Sequence, residues 1–272
     1  MPELPEVETV KNGLIKKVKG RKITKCNILW NGIIAYPDKE LFIKEITNQT
    51  INDITRRGKF LMFILDDYYL ISHLRMEGKY FIKNKEELLN KHDHVIFLLD
   101  NNHELRYNDT RKFGKMYLVK KDELSITPLS KLGLEPWDKS LTVDYLKTKL
   151  NKKKAIKTLL LDQEIISGIG NIYADEILFL SKINPETYGL NLTDRNLLDI
   201  INNTRTTLSK AIELGGTTIH TYTAVDGITG RFQQELLVHG KKDEPCPICG
   251  NKITKIVVNT RGTYYCPNCQ KK

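Results

Sequence analysis

The 272-residue sequence lacks any apolar run of roughly 18 residues, and its N-terminus lacks the charged-then-apolar pattern of a signal peptide. Both absences argue against a membrane-spanning or secreted protein, so we expect a cytoplasmic one whose cysteines stay reduced. Internal repeats and low-complexity tracts are also lacking. The composition, 40% hydrophobic and 28% charged, is typical of a globular protein long enough for two domains.

Acidic residues are the minority among the charged ones: 33 Asp and Glu stand against 43 Lys and Arg, a formal net charge of +10. In a chain of this size such an excess indicates a polyanionic partner, most often a nucleic acid. The alternative is that the excess charge merely aids solubility.

Hydrophobic periodicity predicts a helix over Leu4–Val18, followed by alternation with period two. Residues 41–46 are predicted to form a short helix between strands. The predicted strands are residues 22–30, 51–65, 68–76, 94–100, 103–108 and 115–119. Short antiparallel strands at this spacing predict a β-sandwich domain over residues 1–120.

Residues 121–140 are predicted to be a linker, because Pro128, Gly133 and Pro136 interrupt every regular pattern there. Helical periodicity returns in a predicted domain over 141–240. Its helices are expected at residues 142–150, 154–163, 171–180 and 193–214.

A tight turn at residues 167–171 precedes the third of these helices, and Asn171 is placed to cap it. Two glycines and a helix N-terminus expose backbone N–H groups, which bind phosphate in many proteins. The alternative is an ordinary turn, since many helical hairpins turn through glycine without a ligand.

Four of the five cysteines form two C-x₂-C pairs separated by sixteen residues in a predicted C-terminal module over 241–272. Thiolates so spaced match one closed tetrahedral zinc site, which is structural because no coordination position stays open. The ligands are predicted to be Cys246, Cys249, Cys266 and Cys269, with a hairpin at 252–265 between the pairs. Seven Lys and Arg against two Asp and Glu make the module +5, which suits contact with phosphates. Two disulfides are disfavoured by the expected reducing environment, and Cys26 is predicted to be simply buried.

The first residues offer a candidate nucleophile. Removal of Met1 would leave Pro2 as a secondary amine with a pKa near about 8. Such an amine attacks an aldehyde-level carbon to give an iminium ion, an electron sink for elimination, and Glu3 could donate or accept a proton beside it. Taken alone, however, Pro and Glu here favour a plain helix start.

Several motifs in order along the whole chain resemble the formamidopyrimidine-DNA glycosylase family of bacterial base-excision repair enzymes. They are Pro2-Glu3-Leu4-Pro5-Glu6-Val7-Glu8, Arg56-Arg57-Gly58-Lys59, Lys91-His92-Asp93-His94, Arg111-Lys112-Phe113-Gly114, Gly168-Ile169-Gly170-Asn171-Ile172-Tyr173-Ala174 and the C-terminal module with Arg261. The resemblance implies an α+β protein of two lobes. These are an N-terminal β-sandwich with flanking helices and a helix–two-turn–helix domain with a zinc ribbon, with DNA in the cleft between the lobes.

The resemblance also implies the reaction: removal of oxidised purines such as 8-oxoguanine and formamidopyrimidines, followed by strand cleavage through β- and δ-elimination. Pro2 would attack the sugar C1′ and Glu3 would assist opening of the sugar. Lys59 would contact phosphate and act in elimination, and Arg261 would grip the phosphates that flank the lesion and assist δ-elimination. As alternatives, Lys59 is an exposed strand lysine and Arg261 a solvated hairpin residue.

Further residues match DNA contacts of the family. An extruded nucleotide leaves a gap in the duplex, which the family fills with side chains matching Met76, Arg111 and Phe113. Other matches are the phosphate ligands His92 and Asn171, and less certain DNA contacts at Lys153 and Lys157. The alternatives are core positions for Met76 and Phe113, a turn for His92, a helix cap for Asn171 and solvated charges for the basic residues. Residues 217–231 correspond to a lesion-capping loop whose base contacts are unassigned.

Two other functions remain open: an endonuclease VIII-like glycosylase for oxidised pyrimidines, and a non-catalytic zinc-ribbon DNA-binding protein. The Arg111 and Phe113 spacing favours the purine enzyme, and an intact Pro2-Glu3 pair argues against mere binding. The expected partner is damaged double-stranded DNA. We expect one zinc ion, no organic cofactor, no membrane and a monomer.

Overall fold

The computed structural model describes residues 1–217 and 230–272, which fall into two compact units. Unit 1 comprises residues 1–130 with 215–230, and unit 2 comprises 131–214 with 231–272. Most of the predicted lesion-capping loop therefore lies outside the described residues. Within the described ranges, no helix is both long and apolar enough to cross a membrane.

Unit 1 begins with α1 (Leu4–Val18), as predicted from its apolar spacing. A capping box closes its N-terminus: the Glu3 side chain accepts from a backbone N–H of the first turn, and Glu6 accepts from the Glu3 N–H. The apolar stripe of the helix is fully buried in the core of the unit. Each such aliphatic side chain contributes about 1.5–3 kcal/mol on burial, so α1 is held firmly at its docking position.

Two sheets form the predicted β-sandwich of unit 1. One has the strand order β1-β7-β8-β6 and the other β2-β9-β5-β4-β3. The strands are β1 (Ile23–Ile28), β2 (Ile34–Tyr36), β3 (Asp53–Arg57), β4 (Phe60–Ile64), β5 (Tyr68–His73), β6 (Lys79–Asn84), β7 (Asp93–Leu99), β8 (His103–Asn108) and β9 (Lys115–Lys120). All pairings are antiparallel except that of β2 with β9. The predicted short helix is α2 (Lys39–Ile46), which Asp38 caps.

The prediction of a single strand over residues 51–65 is wrong. The segment is a hairpin, β3 and β4, that turns at Gly58 and Lys59. Gly58 has φ +56°, a left-handed conformation that glycine adopts without steric cost. Strands β2 and β6 were not predicted; β2 has only three residues.

Unit 2 contains the four predicted helices, α3 (Val143–Leu150), α4 (Ile156–Leu160), α5 (Asn171–Leu180) and α6 (Asp194–Glu213). Helix α4 is shorter than predicted, because Gln163 serves the following turn instead of continuing the helix. Its side chain donates to the Ile169 carbonyl and accepts from the Gly168 N–H. Gly168 has φ +98°, which explains the glycine at this turn.

The C-terminal hairpin of unit 2 pairs β10 (Thr254–Val258) with β11 (Arg261–Tyr265). Its two-residue turn is Asn259-Thr260, with φ values of +45° and +67°. Turns with two left-handed residues match the natural twist of paired strands. Arg261 directly follows the turn and is exposed at the end of the hairpin.

Candidate active site and zinc cluster

The buried Glu6 carboxylate holds the N-terminal segment in place. It accepts from the Glu3 N–H at 2.8 Å, the Thr217 N–H at 2.7 Å and the Thr217 hydroxyl at 3.1 Å. A Cβ atom at Gly216 would lie 2.6 Å from Glu6 Oε1, so only glycine lets the chain approach this closely. Glu6 has no predicted role of its own from the sequence. Its contact with Thr217, 211 residues away, has no sequence signal.

Pro2 and Glu3 are both buried at the start of α1. Met1 precedes them and is 47% exposed, so it is open to removal. Until Met1 is removed, the Pro2 nitrogen is an amide and has no nucleophilic lone pair. The capping box then fixes the position at which the released amine would lie.

Lys59 is 5% exposed, so the alternative of an exposed strand lysine is wrong. It lies in the β3–β4 turn, next to Phe60, whose ring contacts the His73 ring edge-on at 4.5 Å. Burial, together with the nearby cations Arg75 and Lys59, lowers the pKa of His73 to about 3. His73 is therefore neutral near pH 7. The sequence alone did not indicate that Lys59 is buried near a neutral histidine.

An ion pair fixes α1 against the strand that leads into the Lys59 turn. Arg56 Nε lies 2.9 Å from Glu8 Oε2, and both side chains are largely buried. Burial alone would raise the pKa of the Glu8 carboxyl, but hydrogen bonds and charge from Lys11 and Arg56 lower it overall. Glu8 therefore stays ionised near neutral pH and keeps this contact.

Met76 and Phe113 are exposed, at 38% and 49%, so the alternative that they belong to the core is wrong. Phe113 lies under the guanidinium of the exposed Arg111, 4.8 Å from the ring centroid. His92 is half-buried in the turn before β7, and its carbonyl accepts from the Asp109 N–H at 3.0 Å. The structure thus places His92 beside the segment that carries Arg111 and Phe113.

In unit 2, Asn171 contacts the C-terminal hairpin. Its Nδ2 donates to the Gly262 carbonyl at 2.9 Å, next to Arg261. The prediction that Asn171 caps α5 is wrong: Gly170 is the N-cap, and Asn171 is the first helical residue. The structure therefore brings together two predicted phosphate contacts, Asn171 and Arg261.

Lys153 and Lys157 differ sharply in exposure. Lys153 is exposed, whereas Lys157 is 0% exposed, and the predicted contact of Lys157 with DNA stays a prediction. The Lys157 ammonium donates to the buried Asp175 carboxylate and, at 3.0 Å, to the Asn171 carbonyl. The other Asp175 oxygen lies 2.7 Å from His239 Nδ1. Because one charge balances another here, Lys157 supports the α5 N-terminus from inside.

The four cysteine sulfurs lie within 4.8 Å of one another. Tetrahedral zinc–thiolate bonds of about 2.3 Å require sulfurs about 3.8 Å apart. Cys246 and Cys269 sulfurs lie 3.9 Å apart, and those of Cys249 and Cys266 lie 3.5 Å apart. These separations suit a shared zinc ion and are far too long for disulfides.

The electrostatics of the cluster also fit a cation. Hydrogen bonds from the Asn268 side chain and the Asn251 backbone lower the pKa of Cys249 to about 6. Burial, then the neighbouring sulfurs, raise the pKa of Cys269 to about 12. A central Zn²⁺ would compensate the negative charge of closely spaced thiolates. By contrast, burial raises the pKa of the isolated Cys26 to about 12, as expected of an inert core thiol.

Three family models match successive parts of the chain. They are the formamidopyrimidine-DNA glycosylase N-terminal domain over residues 1–116, the formamidopyrimidine-DNA glycosylase H2TH domain over 132–223, and the zinc finger found in FPG and IleRS over 243–272. The zinc-finger match and the sulfur geometry together assign one structural Zn²⁺ to the four cysteines.

Whole-length relatives agree with these matches. The chain is 48% identical over 275 residues to the formamidopyrimidine-DNA glycosylases of Bacillus licheniformis and Bacillus subtilis, with 100% of each chain covered. A Lactococcus lactis FPG mutant in complex with Fapy-dG containing DNA has a TM-score of 0.94 and 42% identity, covering 100% of both chains. The L. lactis Fpg complex with abasic-site DNA gives 0.93 and 42%, covering 99% of this chain and 100% of that one. This chain therefore belongs to the formamidopyrimidine-DNA glycosylase family.

Proposed function

We propose that the protein removes oxidised purines from damaged DNA and then cleaves the strand, with Pro2 as its nucleophile. The reaction class follows from membership of the family over the full chain. It is that of a formamidopyrimidine-DNA glycosylase with AP lyase activity in base-excision repair. The buried pair of Pro2 and Glu3 at the start of α1 supports the choice of nucleophile.

The chemistry begins when the Pro2 amine attacks the sugar C1′. The C1′–base bond breaks, and the base leaves with that electron pair and takes up a proton. Glu3 assists opening of the sugar, after which the Pro2 nitrogen and C1′ form an iminium ion. Loss of a proton from C2′ then expels the 3′ phosphate, and a second elimination expels the 5′ phosphate. The permanent positive charge of the iminium ion drives both eliminations, because it accepts the electrons that each proton leaves behind.

The remaining residues bind the DNA. Lys59 contacts phosphate and acts in elimination, while Arg261 and Asn171 grip phosphates from the C-terminal unit. The zinc ion supplies folding energy to the hairpin that presents Arg261, and no reaction step passes through it. Met76, Arg111 and Phe113 occupy the gap that the extruded nucleotide leaves. His92 and Lys153 add phosphate contacts, and we infer a cytoplasmic site of action, where the four thiols stay reduced.

Trapping with borohydride tests this proposal. The iminium ion is reduced to a stable covalent adduct, so processed protein should become linked to a duplex with 8-oxoguanine. A matched control is protein that retains Met1, in which the Pro2 nitrogen is an amide and no adduct should form. Binding without any adduct from the processed protein would refute the lyase mechanism and favour the non-catalytic alternative.

A second candidate function is removal of oxidised pyrimidines. One solved complex of the wild-type L. lactis FPG contains DNA with an oxidized pyrimidine. Base release from matched duplexes, one with 8-oxoguanine and one with an oxidised pyrimidine, decides between the candidates. Faster release of the purine supports the main proposal, and faster release of the pyrimidine supports the alternative.

A further inference from the structure

The segment of residues 109–114, here called the Arg111 loop, is organised around one buried carboxylate. Asp109 is 0% exposed. Its Oδ1 accepts from the Arg111 N–H at 3.0 Å, and its Oδ2 accepts from the Phe113 N–H at 2.9 Å and the Gly114 N–H at 2.8 Å. The backbones of two of the three predicted gap-filling residues, Arg111 and Phe113, are therefore bonded to the same side chain.

The inner side of the loop is packed without space. The Tyr107 hydroxyl lies 3.5 Å from Asp109 Oδ2, and Tyr107 is itself fully buried. A Cβ atom at Gly114 would lie 1.7 Å from that hydroxyl. Glycine at this position lets the loop close directly onto Tyr107, and it brings the Gly114 N–H within reach of Asp109.

The outer side of the loop is held by an aromatic contact. Lys112 has φ +58°, and its ammonium lies 4.2 Å from the ring centroid of Trp30. Trp30 belongs to the connection between β1 and β2, and it remains 43% exposed. In the same connection, the Gly32 carbonyl accepts from Lys115 Nζ at 2.6 Å. This connection therefore contacts the side chain of Lys112, between Arg111 and Phe113, and that of Lys115, just beyond the loop.

We propose that Asp109 and Trp30 are positioning residues that set Arg111 and Phe113 in their DNA-inserting arrangement before DNA binds. The inference rests on the proposed role of Arg111 and Phe113 in filling the gap in the duplex. A loop that is ordered before binding does not lose conformational entropy on binding, so it binds DNA more tightly. Cation–π contacts such as that of Lys112 with Trp30 contribute in the same direction.

The variants are chosen to separate positioning from general support of the fold. Asp109→Asn keeps the shape but leaves one oxygen for three N–H donors. Trp30→Ala removes the outer anchor at an exposed site, and Trp30→Phe retains a ring. Asp100→Asn, at an exposed acid in the β7–β8 turn, is the matched control.

The probe is a duplex with a tetrahydrofuran abasic-site analogue, and 2-aminopurine in the opposite strand reports insertion of side chains into the gap. For Asp109→Asn we expect the Kd to rise about tenfold, equivalent to about 1.4 kcal/mol, with a reduced 2-aminopurine response. Trp30→Ala should raise Kd about threefold, and Trp30→Phe and Asp100→Asn should stay close to the wild type. Borohydride trapping at saturating enzyme on a preformed abasic site should fall less than about threefold, because that step needs only Pro2 and the sugar.

Losses of affinity, trapping and thermal stability in parallel for Asp109→Asn would show mere structural support and overturn the inference. So would an unchanged 2-aminopurine response in both Asp109→Asn and Trp30→Ala. If Asp109→Asn does not fold, the comparison of Trp30→Ala with Trp30→Phe decides alone, since equal responses would overturn the inference. Arg111→Ala serves as the reference: wild-type affinity for that variant would refute the proposed role of Arg111 itself.

Discussion

Replacing Lys157 with methionine should destabilise unit 2 while leaving the number of DNA phosphate contacts unchanged. The Lys157 side chain is 0% exposed, and its ammonium is paired with the carboxylate of Asp175, whose side chain is also fully buried. Methionine preserves most of the apolar stem and removes the charge. The family resemblance predicted a DNA contact at this residue, so the experiment distinguishes an interior support from a surface contact.

The expected loss of stability follows from the Asp175 charge, which the substitution leaves without its lysine partner. Breaking a buried ion pair by removing one member costs about 3–5 kcal/mol, because the other charge is left uncompensated. His239 still contacts Asp175, so we expect a loss at the lower end, about 3 kcal/mol. Adding Asp175→Asn to Lys157→Met removes the unpaired charge and should restore at least about half of that loss.

The chain has two tryptophans, Trp30 in unit 1 and Trp137 in unit 2, and the unfolding assay uses the second. In a Trp30→Phe background, Trp137 reports unfolding of unit 2 in urea. Affinity for a tetrahydrofuran duplex is then measured over a range of salt concentrations. Lys153→Met is the matched control, since Lys153 is exposed in the turn before α4. It should leave stability unchanged and make the negative slope of log affinity against log salt shallower by about 0.9, the value of one phosphate contact.

The reasoning is refuted by the reverse pattern. If Lys157→Met makes the slope of log affinity against log salt shallower by about 0.9 at unchanged stability, the lysine leaves its buried pair to contact phosphate. If the double variant is no more stable than Lys157→Met, the charge on Asp175 is not the source of the cost.

Three further outcomes are expected. Chelation of zinc should weaken DNA binding before it affects trapping of an abasic-site sugar; unchanged affinity would show that the hairpin does not hold DNA. The folded protein lowers the pKa of His73 from its ordinary value of 6.5 to about 3. The neutral His73 therefore contributes fully to stability above about pH 6.5, and this contribution is lost as pH falls towards about 3. The urea midpoint of His73→Gln should therefore depend less on pH over that window than that of the exposed-histidine control His103→Gln, and equal profiles would contradict the assignment. Glu6→Gln leaves one good acceptor for three donors and should slow trapping about tenfold at unchanged DNA affinity, whereas wild-type trapping would remove Glu6 from the positioning of Pro2.

Local sequence patterns predicted the elements that depend on neighbouring residues. Helices α1 and α5 have the bounds that their apolar spacing predicts, because helical periodicity repeats every few residues. The hairpin between the cysteine pairs follows from the same short-range logic. The prediction of one strand over residues 51–65 is wrong because it ran the strand through the turn at Gly58, where the backbone adopts a left-handed conformation.

Sequence alone therefore determined the types of element, the zinc ligands and the family motifs, since each is encoded by spacing within a short stretch. Tertiary structure decided what each polar side chain does, because that depends on groups brought together from distant positions. Lys157 and Lys153 received the same prediction from the sequence, yet one is paired inside unit 2 and the other faces solvent. Likewise, the contact of Glu6 with Thr217 depends on the fold, because a buried carboxylate must be matched by donors wherever the fold supplies them.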